Sequence, residues 1–210
     1  MLSRIKRLSV IALILCLLVS CSTNKEIEIY NPHTIDQAKA LEDWKLTTLI
    51  AKGDQEKSRP VPYVIDGVSS GDKIVLVSGR GEEREIEVKG ESVEIYNLLL
   101  GTSYSWRVLD NSGKIIKEGT FLVSSEPPRN IYVDGITNVR DLGGWKRDNG
   151  EVVRQRLVYR SARLNENESD EMLLSDEGRK TLLSLGIKSE IDLRKTVDNE
   201  NGGITASPIG

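Results

Sequence analysis

From Pro60 to Val123 the chain is written as short β-branched and aromatic runs broken by turn residues, and this pattern constrains the fold most. Lys73–Ser78, Arg84–Lys89 and Ser92–Ile95 are bounded by Ser70-Gly71-Asp72, Gly79–Gly81 and Gly90. Arg84-Glu85-Ile86-Glu87-Val88-Lys89 alternates polar with apolar, as a half-buried strand does. Thr102–Leu109 puts Tyr104, Trp106 and Val108 on one face, and Asn111-Ser112-Gly113 turns the chain into Lys114–Val123. Pro60-Val61-Pro62 suits an edge strand, because proline cannot donate to a ladder. Six or seven short strands at this spacing predict a β-sandwich. With one Phe and three Trp in the chain, Tyr104 and Trp106 are read as core residues.

The N-terminus carries a different signal. Met1–Arg7 is basic, Val10–Val19 is uninterrupted apolar, and Ser20-Cys21 closes the run. That order is a secretory leader, and the run is shorter than the ~20 residues a membrane span needs. Leu18-Val19-Ser20-Cys21 resembles a bacterial lipobox, which implies removal of residues 1–20 and acylation of Cys21. The protein is then expected in the cell envelope, held to the membrane by lipid. Ser22 at the next position implies the outer membrane in a Gram-negative host. Residues 21–57 read as tether and linker, with Thr34–Lys52 a short helix or linker followed by a strand. The formal charge is −3, and losing Arg4, Lys6 and Arg7 with the leader makes it −6. A mildly acidic chain gives no electrostatic reason to bind nucleic acid. With no paired cysteines in the body, disulfides are not expected to hold the fold.

Downstream, Ile136-Thr-Asn-Val-Arg-Asp-Leu-Gly-Gly-Trp145 reads as a strand ending in a polar turn. The two glycines let the backbone pass close to a neighbour or an anion. Arg140 offers a planar fork of donors, and Asp141 is expected to hold it. Further on come Leu157-Val158-Tyr159-Arg160-Ser161, then Leu185-Gly186-Ile187 and Ile191-Asp192-Leu193-Arg194. In that order these motifs resemble the opening half of the bacterial tyrosine-protein phosphatase family, the dual-specificity-like type. Val139 stands where that family has an aromatic.

The resemblance implies hydrolysis of phosphotyrosine protein or another phosphomonoester through a Cys nucleophile, with no metal and no cofactor. It implies that Asn138, Arg140, Asp141, Gly143, Gly144, Arg160, Ser161, Asp192 and Arg194 support the phosphate site. Structural ion pairs are the competing reading of the same charges. The nucleophile loop, His-Cys-x-x-Gly-x-x-Arg, is not in these 210 residues: the cysteines are Cys16 and Cys21, and His33 is the one histidine. The chain as it stands is therefore expected to be inactive.

Leu98-Leu-Leu-Gly-Thr-Ser-Tyr-Ser-Trp-Arg-Val108 resembles the fibronectin type III pattern, with Leu100 in place of its proline. That resemblance implies that Tyr104 is a corner tyrosine whose hydroxyl bonds back to the loop. Ser124–Asn130, with Pro127-Pro128, reads as a stiff junction. Ser175 should cap a helix over Asp176–Leu185 that Gly186 stops, followed by a strand burying Ile187, Ile191 and Leu193.

The expected organisation is a leader (1–20), a tether (21–57), a fibronectin III/Ig-like β-sandwich (58–125) and a truncated α/β phosphatase domain (131–210). So short a second half buries little surface and is expected to fold poorly alone. Two other functions stay open: a non-catalytic envelope lipoprotein acting through its sandwich, and a phosphate-binding pseudophosphatase.

Overall fold

The computed structural model describes residues 29–30, 46–51, 58–164, 174–193 and 209. The leader, Cys21, the first part of the Thr34–Lys52 stretch and Arg194 lie outside the described residues.

Two antiparallel sheets share one core. The larger has the order β5-β4-β7-β8: β5 (Glu83–Glu87), β4 (Lys73–Ser78), β7 (Ser103–Leu109) and β8 (Ile115–Leu122). The smaller pairs β3 (Tyr63–Asp66) with β6 (Ser92–Ile95). The β3 ladder begins only after Pro60 and Pro62, which have no N–H to offer it. Ile65 and Ile95 from one sheet meet Ile74, Leu76, Tyr104 and Val108 from the other. Alternation does the sorting: along β7, Tyr104 and Val108 are buried while Ser105 and Arg107 face out. A short pairing of β1 (Ile29–Tyr30) with β2 (Ile50–Ala51) lies upstream, and Leu46 bridges in parallel to Val123.

The Tyr104 hydroxyl accepts the Leu99 N–H at 2.9 Å, which fixes the loop Asn97–Gly101 at the end of the sheet. Tyr104→Phe is expected to leave that buried N–H without an acceptor and to lower stability by about 1–3 kcal/mol. A urea melt of the two proteins checks it; identical midpoints would show that water replaces the bond.

A second, smaller sheet follows: β9 (Arg129–Asn130), β10 (Arg140–Asp141) and β11 (Tyr159–Arg160), in the order β11-β10-β9. The expected junction at Ser124–Asn130 thus ends in a strand. Ile131, Val133, Ile136, Val139 and Leu164 form a second core with Leu182 of the helix α1 (Asp176–Ser184). Ser175 caps α1 by accepting the Gly178 N–H at 3.0 Å, and Gly186 leaves it at φ +78°. The helix packs closely enough that a Cβ on Gly178 would meet the Asp134 carbonyl.

The expected α/β arrangement is not seen here. Ile187–Leu193 forms no strand, and Ile191 and Leu193 are 84% and 92% exposed. No strand among the described residues pairs with it, and an extended segment without a ladder keeps its backbone groups in water. The architecture of the described residues is antiparallel β with one helix.

The two cores are bolted together rather than strung on a linker. Asn97 donates through Nδ2 to the Tyr132 carbonyl and accepts the Tyr132 N–H through Oδ1. Gln155 bonds both the N–H and the carbonyl of Leu100. Arg59 lies 4.7 Å over the Tyr132 ring, which in turn packs 4.6 Å from Tyr96.

Candidate functional site

The small sheet separates its charges onto two faces. In register, Arg140 stands opposite Asn130 on one side and Arg160 on the other, while Asp141 stands opposite Arg129 and Tyr159. Successive side chains on a strand point to opposite faces, so Arg140 and Asp141 cannot serve one another. This corrects the expected Arg140–Asp141 clasp.

Asp141 is buried and pairs with Arg129 at 2.7 Å, the two side chains being 0% and 1% exposed. Arg129 also donates from Nε to the Leu98 carbonyl (2.8 Å) and from Nη2 to the Asn97 carbonyl (2.7 Å). The Asp141 carboxylate also accepts the N–H groups of Gly143 and Arg156, both at 2.8 Å. Additional hydrogen bonds to both charges are the condition under which a buried ion pair is tolerated. On the same face, burial pushes the Tyr159 phenol above its ordinary value, against the opposing pull of the Arg129 charge.

The glycine pair serves this packing. A Cβ on Gly143 would fall on the backbone of Arg154 and Gln155. Gly144, at φ +92°, lies against Leu100 and would strike its Cδ1 at 2.5 Å. Both glycines approach a neighbouring segment closely, one of the two expectations for them. Arg156 adopts φ +70° and clamps Glu82 through two bonds of 2.6 and 2.8 Å. That guanidinium holds the Glu82 carboxyl below the usual carboxylate range.

The other face carries Arg140 and Arg160. Arg140 is half-buried, and burial together with the facing Arg160 charge disfavours its own charged form. Like charges directly opposite on neighbouring strands repel, their Cβ atoms being about 5 Å apart. Each guanidinium is a rigid fork of donors suited to phosphate or carboxylate oxygens, and an anion between them would turn repulsion into attraction. Asn138 precedes this pair at φ +58°, and its buried Oδ1 accepts no hydrogen bond among the described residues. Ser161 is exposed beside Arg160, Asp192 is half-buried in the segment after α1, and neither is brought to the Arg140–Arg160 face by a strand. Among the described residues no group of three or more His, Cys, Asp or Glu side chains is placed to hold a metal.

Arg129, Gln155 and Arg156 are the residues missed by sequence reasoning. Their only signal was indirect: an Arg entering an apolar run, at Arg129-Asn-Ile-Tyr-Val, must find a partner if that run is buried.

The small sheet thus carries Arg140 and Arg160 on one face and the buried Arg129–Asp141 ion pair on the other. Residues 131–208 match the Tyrosine phosphatase family, a segment covering less than half of the chain. Neither the curated proteins nor the solved structures gave a match.

Proposed function

We propose that residues 131–208 are the phosphate-binding side of a phosphomonoesterase of the cysteine-nucleophile type, acting on phosphotyrosine protein or a related phosphomonoester. The observation that carries this is the Arg140–Arg160 pair, in register on neighbouring strands within the segment that matches the family. In this reading the two arginines bind phosphate oxygens, Asn138 shapes the approach to them, and Asp141, Gly143 and Gly144 fix the strand that presents Arg140. Ser161, Asp192 and Arg194 enter this reading only as members of the sequence motifs that resemble the family. A His-Cys-x-x-Gly-x-x-Arg loop, which these 210 residues do not contain, would supply the thiolate that attacks phosphorus.

Residues 58–125 are proposed as a fibronectin III-like spacer; the strand order and the Tyr104–Leu99 corner bond support that reading. Cys21 is proposed as the lipid anchor that places the protein in the cell envelope, on the strength of the leader's residue order. A second reading, a pseudophosphatase that binds phosphate without cleaving it, would use the same Arg140–Arg160 pair.

The experiment joins this chain to a family segment carrying the His-Cys loop and assays aryl phosphate and a phosphotyrosine peptide with and without vanadate. Vanadate-sensitive turnover is expected in the joined protein and absent from the 210 residues alone. Arg140→Ala should then reduce kcat/KM by roughly 10²–10³-fold, as loss of one preorganised charge-stabilising donor does. Turnover unaffected by Arg140→Ala and Arg160→Ala would remove these residues from the site.

A further inference from the structure

A β-ribbon projects from the small sheet. Its arms are tied by Leu142 N–H to the Val158 carbonyl (2.9 Å), Gly144 N–H to Val153 (2.8 Å), Val153 N–H to Trp145 (2.8 Å) and Arg147 N–H to Glu151 (2.8 Å). The tip closes at Asp148-Asn149-Gly150, with Gly150 at φ +83°. Every residue from Trp145 to Arg154 is exposed, on both arms. Six of the ribbon's exposed side chains are nonetheless large and apolar: Leu142 (43%), Trp145 (40%), Val152 (54%), Val153 (39%), Leu157 (62%) and Val158 (57%).

Its charge also departs from the rest of the chain. From Leu142 to Arg160 there are five cations (Lys146, Arg147, Arg154, Arg156, Arg160) against Asp148 and Glu151, in a chain whose net charge is −3. Arg147 is engaged by Glu151 and Arg156 by Glu82. Lys146 and Arg154 make no ion pair among the described residues.

We propose that this ribbon docks on an anionic lipid surface. Tryptophan and aliphatic side chains beside lysine and arginine form the set that partitions into the headgroup boundary, the apolar groups entering and the cations meeting lipid phosphates. Lys146 and Val152 are directly opposite, and Trp145 and Val153 flank them, so alternation puts apolar groups on both faces of the ribbon. A rigid protein surface covers one face of such a ribbon, whereas a fluid interface surrounds the whole tip. Docking here would hold the Arg140–Arg160 face close to the membrane, since β10 runs directly into the ribbon at Leu142. The inference rests neither on acylation of Cys21 nor on phosphate hydrolysis.

The test uses the full chain with vesicles of phosphatidylglycerol and phosphatidylcholine whose acyl chains carry bromine, reading tryptophan quenching. Quenching is expected on the anionic vesicles and should fall in Trp145→Phe, which keeps an aromatic ring but removes the reporter. Lys146→Gln with Arg154→Gln should weaken vesicle binding roughly fivefold for each cation removed. The leader is common to all variants, so the differences report the ribbon alone. Equal quenching in wild type and Trp145→Phe, or equal affinity in the charge-neutralised protein, overturns the proposal. So does a concentration-dependent dimer that shields Trp145 without lipid, which would assign the ribbon to a second copy of the chain.

Discussion

Replacing Arg129 with methionine is expected to destabilise the protein by about 3–5 kcal/mol, the cost of leaving a buried charge without its partner. Asp141 is 0% exposed at its side chain, and its Oδ2 would lose the strongest of the contacts that compensate burial. The Leu98 and Asn97 carbonyls would lose their donors in the same change, so the loop fixed by Tyr104 would loosen with it. Asp141→Asn in the Arg129→Met background should recover part of the loss. A neutral amide keeps an acceptor for the Gly143 or Arg156 N–H and no longer requires a counter-charge. The measurement is a denaturant melt of the three proteins. Arg129→Met within 1 kcal/mol of wild type would mean that water reaches Asp141 and that the pair is not the seam described here.

Gly143→Ala is the second large expectation. A methyl group there meets the Arg154 carbonyl oxygen at 2.5 Å and the Gln155 nitrogen at 2.7 Å. These are backbone atoms, which cannot swing aside as the end of a side chain can. Overpacking of this kind costs about 1–3 kcal/mol in a well-packed site. The displaced segment also carries the Gln155 bonds to Leu100 and the Arg156 N–H bond to Asp141, so both sides of the seam are disturbed at once. Thermal melts should show a fall of roughly 4–8 °C for each kcal/mol lost, the scale for a small domain. An unchanged melting temperature would show that the 154–156 segment moves freely.

What could be read in advance was local. Ser175, the acidic first turn and Gly186 bracket α1 because caps and helix stops act within a few residues. The β4 and β6 runs were legible from their β-branched residues and the turn residues around them, and β5 and β7 from alternation. The corner bond from Tyr104 to Leu99 spans only five residues.

What could not be read was the partner across space. Asp141 has an arginine beside it in sequence, yet strand alternation sends Arg140 the other way and brings in Arg129 through pairing of β9 with β10. Ile187–Leu193 has the composition of a strand, but a strand also needs a neighbour, and composition cannot supply one. Gly143 and Gly144 announced a close approach without saying to what, because an absent side chain carries no address.

Whether Arg140 and Arg160 together receive a phosphate is tested most directly by titrating inorganic phosphate into the full chain and following the arginine Nε–Hε signals by NMR. The two signals are expected to shift with a single shared saturation curve, and Arg140→Lys should weaken it by removing the bidentate fork while keeping the charge. Salt should compete, since part of the attraction is screened. Shifts spread evenly over exposed arginines, or a curve unchanged by Arg140→Lys and Arg160→Lys, would contradict a phosphate site on this face.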